Sequence, residues 1–372
     1  MLSKEAVIRL GNQLGFEIVR ICSADPFTDY EKTVRERIKV GLYPKELISY
    51  EKILKNFEIY TDPSNSLPGA KSIISLAFSY KTDEPPDLTK PGEPHGVLAR
   101  AYQRDVYGEM YRRRDMLVEF LRKKSIQVAK QNNIPYKMAA VRAGIGWQGE
   151  NSLILTEEYG SWITLCSLII DVEFKPDEPI SQNCGSCQVC QRACPTAAIK
   201  NPGMINVNKC IDYLTTKTGD IPRDLRSKMG NRLVSCDRCQ EVCSYNKLVR
   251  PVNKAIVRFN PEFRYSPILI KLLNLSEEEY RKYFFDCDFI NPRREYLQRN
   301  VIVALGNAGD PIAIPALKKF LKDGTLLLRR HAAWALGMIN NAPAHNALKE
   351  AISMEQNLGV RKEILYALDN NE

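Results

Sequence analysis

The chain has no hydrophobic run long enough to cross a membrane. A span takes about 20 apolar residues. The longest run here, near Trp162–Val172, is shorter and contains Thr164 and Ser167. No secretory leader is expected at the start, where Ser3 reads as a helix N-cap and Gly15 as that helix's stop. Both absences point to a cytoplasmic protein without a membrane partner. They also change the meaning of eleven cysteines: outside an exported context these argue against a disulfide framework and for metal or cluster ligation. Histidine is scarce, and His95, His331 and His345 read as surface or packing residues. A formal net charge of +9 suits an anionic partner without singling one out.

At 372 residues the chain is too long for one core. Residues 1–175 mix helix and strand signals. Phe16–Cys22, Ser72–Tyr80 and Trp162–Val172 read as strands and Tyr107–Lys124 as a basic helix, which predicts a layered α/β domain. Residues 176–265 hold eight of the cysteines. Residues 266–372 are helical and repetitive. Arg299-Asn-Val-Ile-Val-Ala-Leu-Gly306 is echoed 31 residues later by Arg330-His-Ala-Ala-Trp-Ala-Leu-Gly337, and Lys362-Glu-Ile-Leu-Tyr-Ala-Leu368 follows 32 after that. Paired helices at this period resemble HEAT-like repeats, whose units bury their apolar faces only by stacking. Arg299, Arg329, Arg330, Arg361 and Lys362 recur at one point of the repeat and are expected to line one face. The polar tail Asp369–Glu372 reads as a cap, and a monomer is expected.

The cysteines carry the strongest signal. Cys184-x2-Cys187-x2-Cys190-x3-Cys194-Pro195 is the bacterial ferredoxin run, in which three closely spaced thiolates reach one cube and the fourth turns to another. Cys236-x2-Cys239-x3-Cys243, with Cys210 upstream, repeats the pattern with its first ligand displaced by an insertion. By analogy with two-cluster ferredoxins, Cys184, Cys187, Cys190 and Cys243 hold one [4Fe–4S] cube, and Cys210, Cys236, Cys239 and Cys194 the other. The rival is zinc, for which the Cys-x2-Cys-x2-Cys-x3-Cys-Pro run is unusual. Cys22 and Cys166 sit in expected strands and Cys287 in an aromatic stretch; all three read as core.

Gly144-Ile-Gly146-Trp-Gln-Gly149 matches a dinucleotide fingerprint only by its glycines. That fingerprint needs a strand before and a helix after, and here helix-like Met138–Arg142 precedes and strand-like Leu153–Leu155 follows.

Taken together, several segments resemble the epoxyqueuosine reductase family. They are Leu67-Pro-Gly-Ala-Lys-Ser-Ile-Ile74, Arg142-Ala-Gly-Ile-Gly-Trp147, Gly160-Ser-Trp162, the Cys184–Thr196 run, Cys210-Ile-Asp-Tyr-Leu-Thr215, Cys236-Asp-Arg-Cys-Gln-Glu-Val-Cys243 with Asn246, and the Ala-Leu-Gly repeats. They lie in the family's order across nearly the whole chain. The resemblance implies a nitroreductase-like α/β domain that handles cobalamin, a ferredoxin-like two-cluster domain and HEAT-like repeats. It also implies reduction of epoxyqueuosine to queuosine in tRNA, with tRNA on the helical and basic surfaces and an external low-potential electron donor. Arg142, Gly144, Gly146, Trp147, Asn151 and Ser161 would contribute to the corrinoid site. Cobalamin rests on the resemblance alone: no Asp-x-His-x-x-Gly corrinoid motif is present, and so few histidines make an axial histidine unexpected.

The sequence also departs from the family. An aspartate is usual about a dozen residues before Arg-Ala-Gly-x-Gly-Trp, yet Val128–Ala140 holds no carboxylate. Gly-Lys-Asn is usual after the tryptophan, and here it is Gly149-Glu150-Asn151. Expelling a poor leaving group needs a proton donor, for which Tyr136, Glu150 and Asp105 are the candidates. The alternatives are a related corrinoid-dependent reduction of another substrate, or an electron carrier or reductive activator of a corrinoid protein.

Overall fold

The computed structural model describes residues 2–44, 57, 60–83, 90, 92–103, 105–201, 203–252, 266–284 and 294–369. Cys287 and the tail end Asn370–Glu372 lie outside these residues. The chain forms two compact units. The first combines Met1–Asp83, Val106–Asn208 and Arg238–Ala255; the second combines Glu84–Asp105, Lys209–Asp237 and Ile256–Glu372. This division differs from one drawn along the sequence, because the chain leaves the first unit for Glu84–Asp105 and again at Lys209, just before Cys210, and returns at Arg238.

The first unit opens on α1 (Lys4–Gln13), capped by the Ser3 hydroxyl. It is followed by β1 (Ile18–Ser23), α2 (Thr28–Lys39), β2 (Ser72–Ser79), α3 (Val106–Lys123) and α4 (Tyr136–Arg142). Then come a short hairpin, β3 (Trp147–Gln148) and β4 (Ile154–Leu155), and a long strand, β5 (Ile163–Ile170). The sheet is antiparallel in the order β1–β2–β5, with Ile21 opposite Ile74 and Leu76 opposite Cys166. Every residue of β2 is buried, which is why its apolar run is nearly continuous, broken only by Ser75, rather than alternating. Cys22 and Cys166 are core residues of β1 and β5, and burial pushes both thiols up to about 12.

In the second unit, Val97–Leu98 pairs in parallel with Arg232–Val234. Its repeat helices are α5 (Arg294–Ala308), α6 (Ile314–Asp323), α7 (Leu326–Ile339), α8 (Ala342–Met354) and α9 (Leu358–Asp369). Gly306 and Gly337 explain the repeated Ala-Leu-Gly. A Cβ on Gly306 would meet Ala335 at 2.8 Å, and one on Gly337 would meet Ala367 at 2.7 Å, so each glycine lets the next repeat's helix approach closely.

The repeated basic residues correct one expectation. Arg299 is fully buried and donates to the carbonyls of Leu214, Lys217 and Gly219. Arg329 forms a two-pronged pair with Glu355, Arg330 pairs with Asp220, and Arg361 donates to the Ile352 and Glu355 carbonyls. Lys362 sits over the Tyr366 ring. Arg299 and Arg330 thus reach residues 214–220, Arg329 and Arg361 are spent within the repeats, and the four arginines do not form a free basic face.

Candidate active site

The first four cysteines expected on one cube are brought together within the first unit. The Asn183 side chain accepts from Gly185 N at 2.7 Å, and Cys187 N donates to the Cys184 carbonyl at 3.1 Å. These bonds fold the start of the run into a tight turn. Cys190 follows on the short helix Val189–Ala193. That helix stops at Cys194, which is extended before Pro195, as the residue preceding a proline must be. Cys243 caps the next turn, Ser244–Lys247. Cys184, Cys187, Cys190 and Cys243 line one small pocket with Glu150, Asn151, Leu155 and Tyr245. Burial, and then the neighbouring thiols, push Cys190 up to about 11 and raise Cys243. Thiols crowded in this way hold their protons, which iron would have to displace on binding. Among the described residues no group of three His, Cys, Asp or Glu side chains is placed to hold a single metal ion.

Of the second set, Cys194 and Cys239 belong to the first unit, and Cys210 and Cys236 to the second. The Cys194 sulfur already accepts from Ala198 N at 3.3 Å. Burial, followed by Asp212, pushes Cys210 up to about 12, and Cys236 is among its neighbours.

A buried polar network anchors the Cys243 segment to the α/β layer. The Asn246 side chain accepts from Ser161 N at 2.7 Å and donates to Ser161 Oγ and the Gln240 carbonyl. Gln240 in turn donates to Tyr80 Oη and the Ser161 carbonyl. Next to this network Trp147 stacks edge-on against Tyr245, with ring centroids 5.1 Å apart. Its indole N–H is buried without a hydrogen-bond partner.

A second cavity, about 390 Å³, lies on the other side of the β3–β4 hairpin. Tyr30, Tyr43, Tyr60 and Tyr136 line it with Asp29 and Arg37. The Tyr30 and Tyr60 rings are 6.3 Å apart. Tyr136 starts α4 and donates its phenol to the Asn132 carbonyl at 2.9 Å; burial raises its pKa above the ordinary tyrosine value. The hairpin is the wall common to both cavities, since Gln148 and Ser152 face the tyrosines while Glu150, Asn151 and Leu155 face the cysteines.

The other predicted site residues separate. Glu150 is on the cysteine side, bonded to Gln191, and Asp105 belongs to the second unit. Arg142 spends its guanidinium on the Asp25 and Pro26 carbonyls and stacks over Phe27 at 3.8 Å. Gly144 and Gly146 are steric necessities, because a Cβ would fall 2.1 Å from the Glu178 carbonyl oxygen and 2.0 Å from that of Leu155. Asn151 accepts from Leu153 N and shapes the hairpin turn. Sequence reasoning missed Tyr30, Tyr43 and Tyr60, which no motif or spacing connects, and gave no role to Gln240, although it lies inside the Cys236–Cys243 motif.

These features define an oxidoreductase that carries electrons on paired iron–sulfur clusters beside a layered α/β domain. Residues 183–246 match the 4Fe–4S double cluster binding domain, and residues 288–369 match HEAT repeats. The chain is 34% identical to the epoxyqueuosine reductase of Bacillus cereus over 98% of its own length and 97% of that protein. It superposes with a TM-score of 0.91 on the Bacillus subtilis epoxyqueuosine reductase, solved with its catalytic aspartate loop swung out of the active site, at 32% identity and 99% coverage of both chains. The same score, at 31% identity and covering 99% and 98%, relates it to an epoxyqueuosine reductase bound to an epoxyqueuosine-modified tRNA-Tyr stem loop. The chain belongs to the epoxyqueuosine reductase family.

Proposed function

We propose that this protein reduces epoxyqueuosine to queuosine in tRNA, using two [4Fe–4S] clusters and cobalamin. The observation that carries the reading is the β3–β4 hairpin, one wall shared by the cysteine pocket and the tyrosine cavity. Electrons gathered at the cysteines would reach a substrate in the cavity across this hairpin. The overall change takes up two electrons and two protons, breaks both epoxide C–O bonds, forms a C=C bond and releases the oxygen as water.

The residues fit a corrinoid. The buried Trp147 indole N–H lacks an acceptor, which the amide-bearing rim of a corrin can provide. Gly146, Trp147 and Asn151 on the hairpin would hold that rim, while Arg142, Gly144 and Ser161 keep the hairpin and its surroundings in place. When bound, cobalamin supplies a reducible cobalt centre.

Tyr136 is assigned as proton donor. It lines the cavity, and its raised pKa keeps the phenol protonated at neutral pH. Cys194, Cys210, Cys236 and Cys239 are assigned to the second cluster. The protein acts as a monomer in the cytoplasm, fed by an external low-potential donor; among the described residues no helix is long and apolar enough to cross a membrane. Expression in cells lacking their own epoxyqueuosine reductase tests the reading: queuosine reappears in tRNA. The lack of a carboxylate in Val128–Ala140 favours one second reading, reduction of a different substrate, for which epoxyqueuosine would persist in those cells.

A further inference from the structure

Glu150 stands at the turn of the β3–β4 hairpin with its carboxylate in the pocket lined by Cys184, Cys187, Cys190 and Cys243. Its Oε2 accepts from Gln191 Nε2 at 2.7 Å. Gln191 lies on the same short helix as Cys190, so the bond ties the carboxylate to the segment that presents the thiolates. The main chain is fixed too, since the Glu150 carbonyl accepts from Gly203 N at 3.2 Å. Among the described residues its side chain makes no ion pair. A half-buried carboxylate is thus held beside four cysteines, with no ion-pair partner among the described residues.

We propose that Glu150 sets the reduction potential of the first cluster and holds it low. This role rests on the reading that these four cysteines bind a cube. A [4Fe–4S] cube with four thiolates is already anionic, and taking one electron from a reductant adds another negative charge without making or breaking a bond. A fixed carboxylate in a poorly screened pocket opposes that added charge more than it opposes the oxidised state. Outer-shell charge and hydrogen bonding are among the means by which a protein tunes such clusters. A low potential makes the reduced cluster a strong donor toward the cavity across the hairpin. Glu150 is therefore a positioning residue for electron transfer, on the opposite side of the hairpin from the proton donor.

The test is a potentiometric titration of the full-length, anaerobically reconstituted protein, followed by electron paramagnetic resonance. Wild type, E150Q and E150K are compared, with iron content measured for each. One midpoint moves upward in E150Q and further upward in E150K, while the other stays in place. Unmoved midpoints with iron retained overturn the proposal, as does an equal shift of both clusters. If E150K fails to assemble its cluster, the near-isosteric E150Q decides alone. A packing role would lower iron content without moving a potential. A wild-type protein that reconstitutes without the first cube's signal would instead sink the cluster reading itself, and this is visible before any variant is made.

Discussion

Asn246 and Ser161 are joined by two hydrogen bonds, Ser161 N to Asn246 Oδ1 at 2.7 Å and Asn246 Nδ2 to Ser161 Oγ at 2.9 Å. Asn246 lies three residues after Cys243, and Ser161 just before β5. The pair therefore sets where a cluster ligand stands relative to the sheet. Gly160, with φ +53°, leaves the room this requires, because a Cβ there would fall 2.0 Å from Asn246 Oδ1.

Asn246→Ala should leave the buried Ser161 N–H unpaired, at a cost of about 1–3 kcal/mol for an orphaned group. The melting temperature should fall, and the iron bound with the help of Cys243 should fall with it. Gly160→Ala should reproduce both effects from the other side of the contact. Thermal melts and iron analysis decide; a destabilised N246A with full iron content would separate the network from the cluster.

Tyr136→Phe removes only the phenolic proton. If Tyr136 is the donor, turnover should drop by roughly 10²–10⁴-fold with the clusters intact by absorbance. Because burial raises the Tyr136 phenol above its ordinary value, the wild-type rate should show no loss of an acidic donor between pH 7 and 9. Ordinary turnover by Y136F would move the donor elsewhere.

Much of this was legible in sequence, for local reasons. The cysteine run states its chemistry through spacing, and β2 announces burial because all eight of its residues face protein. The tyrosine cavity was not legible beyond Tyr136. Tyr30 comes from α2, Tyr60 from the segment before β2 and Tyr136 from α4, and no local pattern says which segments converge. Arg299 misled for a related reason. Its place in the repeat is periodic, but its partners are the carbonyls of residues 214–219, some 80 positions earlier. Periodicity identifies a face and leaves open what covers it.

Arg299→Lys should destabilise the second unit strongly, because one ammonium cannot replace a planar fork that reaches Leu214, Lys217 and Gly219 at once. A loss on the order of 3–5 kcal/mol is expected for a buried cation deprived of partners, read by denaturant unfolding. A near-neutral R299K would show that this cage contributes little.

The second unit should also weaken in mild acid. His331 is fully buried, and burial pushes its pKa down to about 4 against the hydrogen bond with Asp220 that pulls it up. The unfolded chain takes up this proton near pH 6.5, while the folded chain resists. The contribution is therefore complete above pH 6.5 and is lost as pH falls toward 4, by roughly 3 kcal/mol at most. Unfolding midpoints at pH 7.5 and 4.5 should differ less in His331→Leu than in wild type. Equal differences would exclude His331 as the source.

The central claim is tested most directly by turnover in a defined mixture. The protein is reconstituted with iron, sulfide and cobalamin, given a low-potential reductant and supplied with tRNA carrying epoxyqueuosine; the nucleosides are then analysed by mass spectrometry. Conversion to queuosine, dependent on both reductant and cobalamin, is the result predicted here. Persistence of epoxyqueuosine with clusters and cobalamin demonstrably bound would contradict it and direct the reductase toward another substrate.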